Sequence, residues 1–160
     1  RSGSRVLECG TGSGALTSYL AGLVRPGGKV ITYEMRGEFQ ENARRNIEKL
    51  GLSDSVEFRL KDLMSGIDES DLDSMVLDMA TPWLVMAQAY QALRAGGRLV
   101  SFSPTINQVE KTVEEMRRVG FVGIKAVELI MRTYKVKANE TRPDMVMVGH
   151  TGYIVSARKC

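Results

Sequence analysis

Val6-Leu7-Glu8-Cys9-Gly10-Thr11-Gly12-Ser13-Gly14-Ala15-Leu16 runs from an apolar strand pattern, through three alternate glycines, into a helical pattern. Alternate glycines permit positive φ and remove every Cβ where backbone must lie against a ligand, while the helix that follows points unpaired N–H groups at it. Such a turn holds a cofactor, and two ligand classes want it: dinucleotides and S-adenosylmethionine. The dinucleotide fingerprint is Gly-x-Gly-x-x-Gly, one residue longer at its end than Gly10-x-Gly12-x-Gly14. Glu8, two residues ahead of the first glycine, suits a methionine ammonium group better than a pyrophosphate. Both features favour S-adenosylmethionine over NAD, with a purely structural glycine turn as the third reading. On the favoured reading, Glu8, Gly10, Thr11, Gly12, Ser13 and Gly14 form the cofactor-binding turn.

Outward from this turn, apolar runs and amphipathic stretches alternate strictly. Strands are expected near 5–9, 29–34, 56–60, 74–79 and 97–103, with helices near 14–24, 38–50, 82–94 and 106–119. This βαβ alternation builds a parallel sheet with helices on both faces. Pro26-Gly27-Gly28 stops the first helix, Gly51 follows the second, Thr81-Pro82 opens the third and Gly96-Gly97 ends it. After Gly120 the pattern changes: 122–134 and 148–158 are β-rich with no helix between them, and should pair antiparallel through the loop around Lys137 to Asp144. A dinucleotide domain would continue with another crossover helix. Five parallel units and a C-terminal hairpin instead give a Rossmann-like class I methyltransferase fold, α/β, with a mostly parallel seven-stranded sheet.

The 160 residues fit one domain, able to bury ~70% of the surface its unfolded chain exposes. At 43% apolar and 26% charged, with no run near the ~18 apolar residues of a membrane span, the composition excludes a membrane protein, and no secretory signal is visible. Cys9 and Cys160 have neither the number nor the spacing of a metal site or a disulfide framework, which makes a reducing cytoplasm the simplest location. Net charge is +3, and the positive excess is local: residues 111–160 hold ten Lys/Arg against five Asp/Glu. Arg132, Lys135, Lys137, Arg142, Arg158 and Lys159 are therefore either a polyanion-binding surface or a solvated one, and charge alone does not decide.

In an open parallel sheet the ligand lies outside the carboxyl ends of the strands. All four expected ends are acidic: Glu8, Glu34, Asp62 and Asp78. Carboxylates gathered at one edge repel one another unless something cationic or rich in donors lies between them, and an adenosyl sulfonium is both. Glu34, about twenty residues past the glycines, is placed to accept from both ribose hydroxyls, and Asp62 from the adenine amino group. Singly, each also reads as a solvated strand end or a helix cap. Asp78 differs because Met75-Val76-Leu77-Asp78-Met79 is otherwise apolar, so its carboxylate loses solvation and needs a partner, such as a substrate amine near the methyl group. Trp83 either walls an acceptor pocket or packs at a helix start, and Met75, Met79 and Met86 read as core. His150, the single histidine, reads as a packed or hydrogen-bonded residue rather than a general base.

Four segments together, Glu8-x-Gly-Thr-Gly-Ser-Gly, Leu77-Asp78-x-x-x-Pro82-Trp83, Ser101-Phe102-Ser103-Pro104-x-Ile106-x-Gln108-Val109 and Val148-Gly149-His150-Thr151-Gly152-Tyr153, resemble the tRNA (adenine-N1)-methyltransferases. These act on the T-loop adenine at position 58, and the archaeal form, which in some cases also takes adenine 57, is the most similar in character. The first segment is shared by many methyltransferases; the other three are more specific. The resemblance spans Val6 to Arg158. It implies S-adenosylmethionine as donor, S-adenosylhomocysteine as product, tRNA as partner and a homotetramer. Ser13, Gly14, Ala15, Leu16, Glu34, Asp62 and Asp78 become donor contacts, with Asp78 also catalytic at the reacting base. It further implies that residues 1–160 are the catalytic domain, without the small N-terminal β domain that helps the family grip tRNA. Thr81 departs from the acidic or amide residue of relatives. Adenine N1 carries a free lone pair, so the reaction needs no base to make the nucleophile; it needs a fixed carboxylate to stabilise the charge that spreads to the exocyclic amine. The alternatives are a class I enzyme acting on a protein carboxylate or small molecule, and a non-catalytic tRNA-binding subunit, against which the intact glycines and Asp78 argue.

Overall fold

The computed structural model describes residues 1–160. β1 (Arg5–Cys9), β2 (Lys29–Glu34), β3 (Val56–Leu60), β4 (Leu72–Asp78) and β5 (Leu93–Ser103) run parallel, with α1 (Ala15–Val24), α2 (Gly37–Lys49) and α3 (Met86–Ala92) in their connections. α4 (Ile106–Val119) leads to β6 (Val122–Glu128), the short strands β7 (Tyr134–Lys135) and β8 (Arg142–Pro143) pair with each other, and β9 (Tyr153–Arg158) completes the sheet. The seven strands lie in the order β3-β2-β1-β4-β5-β9-β6, with β9 antiparallel to both neighbours. This is the expected class I methyltransferase layout. The chain moves outward from β1 through β2 to β3, then crosses to β4 on β1's other side. That reversal opens a crevice at the carboxyl ends of β1 and β4.

Strand alternation decides which helices cover which face. Val6, Val30 and Val56 pack with Ala21 and Val24 of α1 and Ile47 of α2. Leu7, Ile31, Tyr33, Met75, Leu77 and Leu99 point the other way, against Met86 and Ala89 of α3 and Val109 and Met116 of α4. β1 and β2 thus carry buried apolar residues on both sides, as a doubly covered sheet requires. Glu8 and Thr32 share the α1/α2 face with Val6 and Val30, so their side chains are fully buried under α1.

Three expectations change. The helix expected over 82–94 is a 3-10 turn at Pro82–Val85 followed by α3, because β5 already begins at Leu93. Gly96 and Gly97 therefore do not end a helix; they form an irregularity inside β5, where pairing jumps from Leu72↔Leu93 to Ser74↔Arg98. A Cβ on Gly97 would lie 2.8 Å from the Arg94 carbonyl oxygen and 3.1 Å from that of Leu72. The β-rich stretches are also shorter than 122–134 and 148–158. β6 stops at Glu128, opposite Tyr153 where β9 starts, and beyond that register no ladder partner exists. Residues 129–150 leave the sheet as an arm on which Leu129, Ile130, Met131, Val136, Met145 and Val146 are exposed.

Candidate active site

The glycine turn is shaped by close approach. The Gly10 and Thr11 amides both donate to the Tyr33 carbonyl, at 3.1 and 3.4 Å, which pins the end of β1 to β2. Gly10 has φ +98°, and a Cβ there would lie 2.3 Å from the Asp78 carbonyl oxygen, so only glycine lets the β1 turn pass the end of β4. Gly14, in the left-handed region at φ +81°, precedes α1 and brings no side-chain cap, leaving the first N–H groups of the helix uncapped. Ser13, Ala15 and Leu16 are exposed along this rim.

Beside the turn is an open hollow of about 280 Å³. Of the expected site residues, Gly10, Glu34, Asp62 and Asp78 line it. One oxygen of Glu34 accepts from the Gly12 amide at 3.1 Å, and the other from the Arg36 amide at 3.1 Å, so this carboxylate also braces the glycine turn. Asp62 accepts from the Met64 amide at 2.9 Å through Oδ1, capping a short 3-10 turn at Leu63–Ser65. The Asp78 carboxylate has no protein hydrogen-bond partner, and partial burial pushes it above the ordinary aspartate value. The convergence of acids is felt at Cys9, whose thiol is pushed up to about 12 by burial first and then by the charges of Asp62, Glu34, Glu8 and Asp78.

Glu8 lies beneath the turn and does not line the hollow. Its Oε2 accepts from Thr17 at 2.5 Å and from Thr32 at 2.7 Å, and the Thr32 oxygen is 2.6 Å from that of Thr11. Because Thr32 spends its proton on Glu8, Thr11 is the donor in that pair. The buried network ties β1, β2, α1 and the turn together, and burial pushes the Glu8 carboxyl upward. As folded, Oε2 is engaged by Thr17 and Thr32, while Oε1 is buried beneath the turn with no hydrogen-bond partner.

Residues that sequence reasoning missed follow a visible pattern. Met35, Leu63 and Met79 also line the hollow, and each directly follows an acidic residue: Glu34-Met35, Asp62-Leu63 and Asp78-Met79. The same pairing occurs at Glu8-Cys9, where Cys9 is the lining member. An acid followed by an apolar residue at four strand ends was the signal for a site with polar edges and apolar walls. Arg36 and Lys61 line it too; Arg36 stacks over Phe39 at 3.7 Å, and Lys61 pairs with Asp68 at 2.6 Å.

Other singled-out residues lie around the rim. Trp83 is half-buried with the Lys111 ammonium 5.0 Å from its ring centre, and the Thr81 hydroxyl faces the Met64 sulfur at 3.9 Å. His150 precedes β9 instead of opening it. Its Nε2 donates to the Pro104 carbonyl at 2.8 Å and its Nδ1 meets Glu128 at 2.7 Å, a hydrogen-bonded role. The six basic residues separate: Arg132, Lys135, Lys137 and Arg142 sit on the arm. Arg158 lies opposite Arg98 at the far end of the sheet, and Lys159 donates to the Leu93 carbonyl at 2.6 Å.

Over residues 1–143 the chain matches the family described as tRNA methyltransferase complex GCD14 subunit. It is 40% identical, over 99% of its own length, to the tRNA (adenine(57)-N(1)/adenine(58)-N(1))-methyltransferase TrmI of Methanocaldococcus jannaschii. It is 35% identical, over 98% of its length, to the tRNA (adenine(58)-N(1))-methyltransferase TrmI of Thermus thermophilus. The chain spans 65% and 62% of those two proteins. Among solved structures, a SAM-dependent O-methyltransferase from Thermotoga maritima superposes with a TM-score of 0.94 at 38% identity, covering 99% of this chain and 60% of that one. The tRNA (m1A58) methyltransferase TrmI from Aquifex aeolicus gives 0.86 at 34% identity, covering 98% and 62%. The sheet order, the glycine turn and these matches agree: the chain belongs to the GCD14 family of tRNA methyltransferase subunits.

Proposed function

We propose that this chain is the catalytic domain of an S-adenosylmethionine-dependent tRNA (adenine-N1)-methyltransferase acting on the T-loop. The observation that carries the reading is Asp78, an unpartnered, partly desolvated carboxylate at the mouth of a hollow ringed by acid–apolar pairs. The activities of the Methanocaldococcus and Thermus relatives support the substrate.

The hollow suits an adenosyl group. Glu34 has lone pairs left for the ribose hydroxyls, Asp62 Oδ2 is available to an exocyclic amine, and Met35, Leu63 and Met79 supply apolar walls for a purine. The uncapped start of α1, with Ser13, Gly14, Ala15 and Leu16, receives the carboxylate of the methionine moiety. When bound, the donor supplies an electrophilic methyl group on sulfonium. Asp78 accepts from the exocyclic amine of the target adenine, stabilises the positive charge that develops on the ring, and can take the N6 proton afterwards. A T-loop adenine is buried in folded tRNA, so the base must be turned out to reach Asp78. The arm's Arg132, Lys135 and Arg142 hold phosphate. In the whole protein we assign the remaining tRNA grip to an N-terminal β domain, the assembly to a homotetramer and the location to the cytoplasm.

A second reading, transfer to oxygen, is favoured by the similarity to the Thermotoga O-methyltransferase. A hydroxyl acceptor requires its proton to be removed, and Asp78 could serve there as base. Calorimetry with S-adenosylhomocysteine, then mass spectrometry of nucleosides from tRNA incubated with full-length protein and donor, decides. We expect binding and N1-methyladenosine in the T-loop; binding without any methylated nucleoside would reject adenine as acceptor, and absence of binding would reject the cofactor.

A further inference from the structure

Asp78 ends β4, and the four residues after it reach the buried Pro82 through a segment that makes no ladder contact. Met79 and Thr81 make sulfur contacts at 3.9 Å with Cys9 and Met64, and one side chain from elsewhere in the fold takes hold of the segment's backbone. Gln108, at the third position of α4, donates from Nε2 to the Ala80 carbonyl at 3.0 Å. Its Oε1 accepts from the Thr105 amide at 3.2 Å and from the Thr105 hydroxyl at 3.0 Å, in a capping-box arrangement. The partners fix the amide's orientation, because only a nitrogen can face the Ala80 carbonyl and only an oxygen can face the Thr105 N–H. The anchor is itself anchored: two residues before Ile106, the Pro104 carbonyl accepts from His150 at 2.8 Å, and Glu128 holds the other ring nitrogen at 2.7 Å. Ala80 and Asp78 both line the hollow.

We propose that Gln108 is a positioning residue for methyl transfer, holding the Asp78–Thr81 segment in place through Ala80 while its other atom caps α4. The assignment rests on the function proposed above for its catalytic consequence, but not for the tie itself. The two halves of the amide separate by substitution. Gln108→Glu retains an acceptor for Thr105 and removes the donor to Ala80, setting carboxylate against carbonyl. Thr105→Ala removes the cap and leaves the Ala80 tie.

Amide hydrogen exchange and single-turnover methylation of tRNA, both on full-length protein, test this. In Gln108→Glu we expect exchange at the Leu84 amide, which donates to the segment's Thr81 carbonyl at 3.1 Å, to accelerate at least tenfold while α4 amides and melting temperature stay near wild type. The methylation rate should fall roughly tenfold or more, with KM for tRNA within about twofold. Thr105→Ala should show the reverse: a lower melting temperature, unchanged segment exchange and a rate within about twofold. Unchanged exchange in Gln108→Glu overturns the tie whatever the acceptor is. Faster exchange with an unchanged rate overturns the positioning role. A wild type that methylates no tRNA, with the segment still released by Gln108→Glu, rejects the acceptor reading and the role in methyl transfer with it, leaving only the tie.

Discussion

Asp78 and His150 show how one side chain's surroundings set its chemistry. On the proposed reading, Asp78→Asn keeps the shape but presents a donor where the exocyclic amine of the target adenine needs an acceptor. Removing an electrostatic interaction of this kind should lower the single-turnover rate by ~10²–10³, roughly 3–4 kcal/mol, with S-adenosylhomocysteine affinity nearly unchanged in calorimetry. A rate close to wild type would make Asp78 structural. Burial raises the Asp78 carboxyl, so it binds its proton at higher pH in the fold than in the unfolded chain. The acid limb of the rate profile should therefore lie above the ordinary aspartate range. In that window protonation at this residue favours the folded state, so loss of activity should come without a lower melting temperature. His150 has the opposite arrangement. Donating to both Glu128 and Pro104 requires the imidazolium, and those two bonds raise its pKa. Its stabilising contribution is complete below the unfolded histidine value and disappears as pH rises through the folded one. An NMR titration should place His150 above the ordinary histidine range and Glu128→Gln should bring it back down.

At the scale of elements, Gly97 distinguishes a helix stop from a sheet irregularity. A Cβ there meets two backbone oxygens that cannot swing aside, so Gly97→Ala should destabilise the fold by ~1–3 kcal/mol in urea titration. A glycine that merely ended a helix would tolerate alanine with little change. The same residues explain what was legible in the sequence. β1, β2 and β3 and the bounds of α4 could be read because apolar periodicity and flanking breakers agree there. The start of β5 could not, since Leu93 is apolar in either a helical or an extended reading, and the double glycine imitates a cap. The end of β6 was hidden because Leu129-Ile130-Met131 has strand composition, whereas strand extent depends on where β9 begins. At the site, Glu34, Asp62 and Asp78 were legible as strand-end acids. The burial of Glu8 beneath the turn was not legible, because a carboxylate one residue inside a strand end points to a covered face, which only the packing of α1 reveals.

For the whole molecule, charge and topology divide the labour. The cationic arm leaves the sheet between β6 and β9, and its Arg132, Lys135, Lys137 and Arg142 are exposed or nearly so, with Lys137 paired to Glu140. Changing all four to Gln in the full-length protein should weaken tRNA binding and flatten its dependence on log salt by about one unit for each phosphate no longer held, as measured by filter binding across ionic strengths. Residues 1–160 alone should bind tRNA more weakly than the full-length protein and with a shallower salt slope, and equal slopes would contradict the proposed division of phosphate binding. The strand order has one more effect, on how the chain is made. β6 emerges before β9 yet joins the sheet only through it, so on the ribosome the cofactor half, β1 to β5, can assemble while β6 and the arm are still tethered and unpaired. During that interval β5 presents an open edge with Leu99 and Val100 on it. A nascent chain stalled before Tyr153 should therefore recruit hold-type chaperones, whereas one carrying β9 clear of the exit tunnel should not.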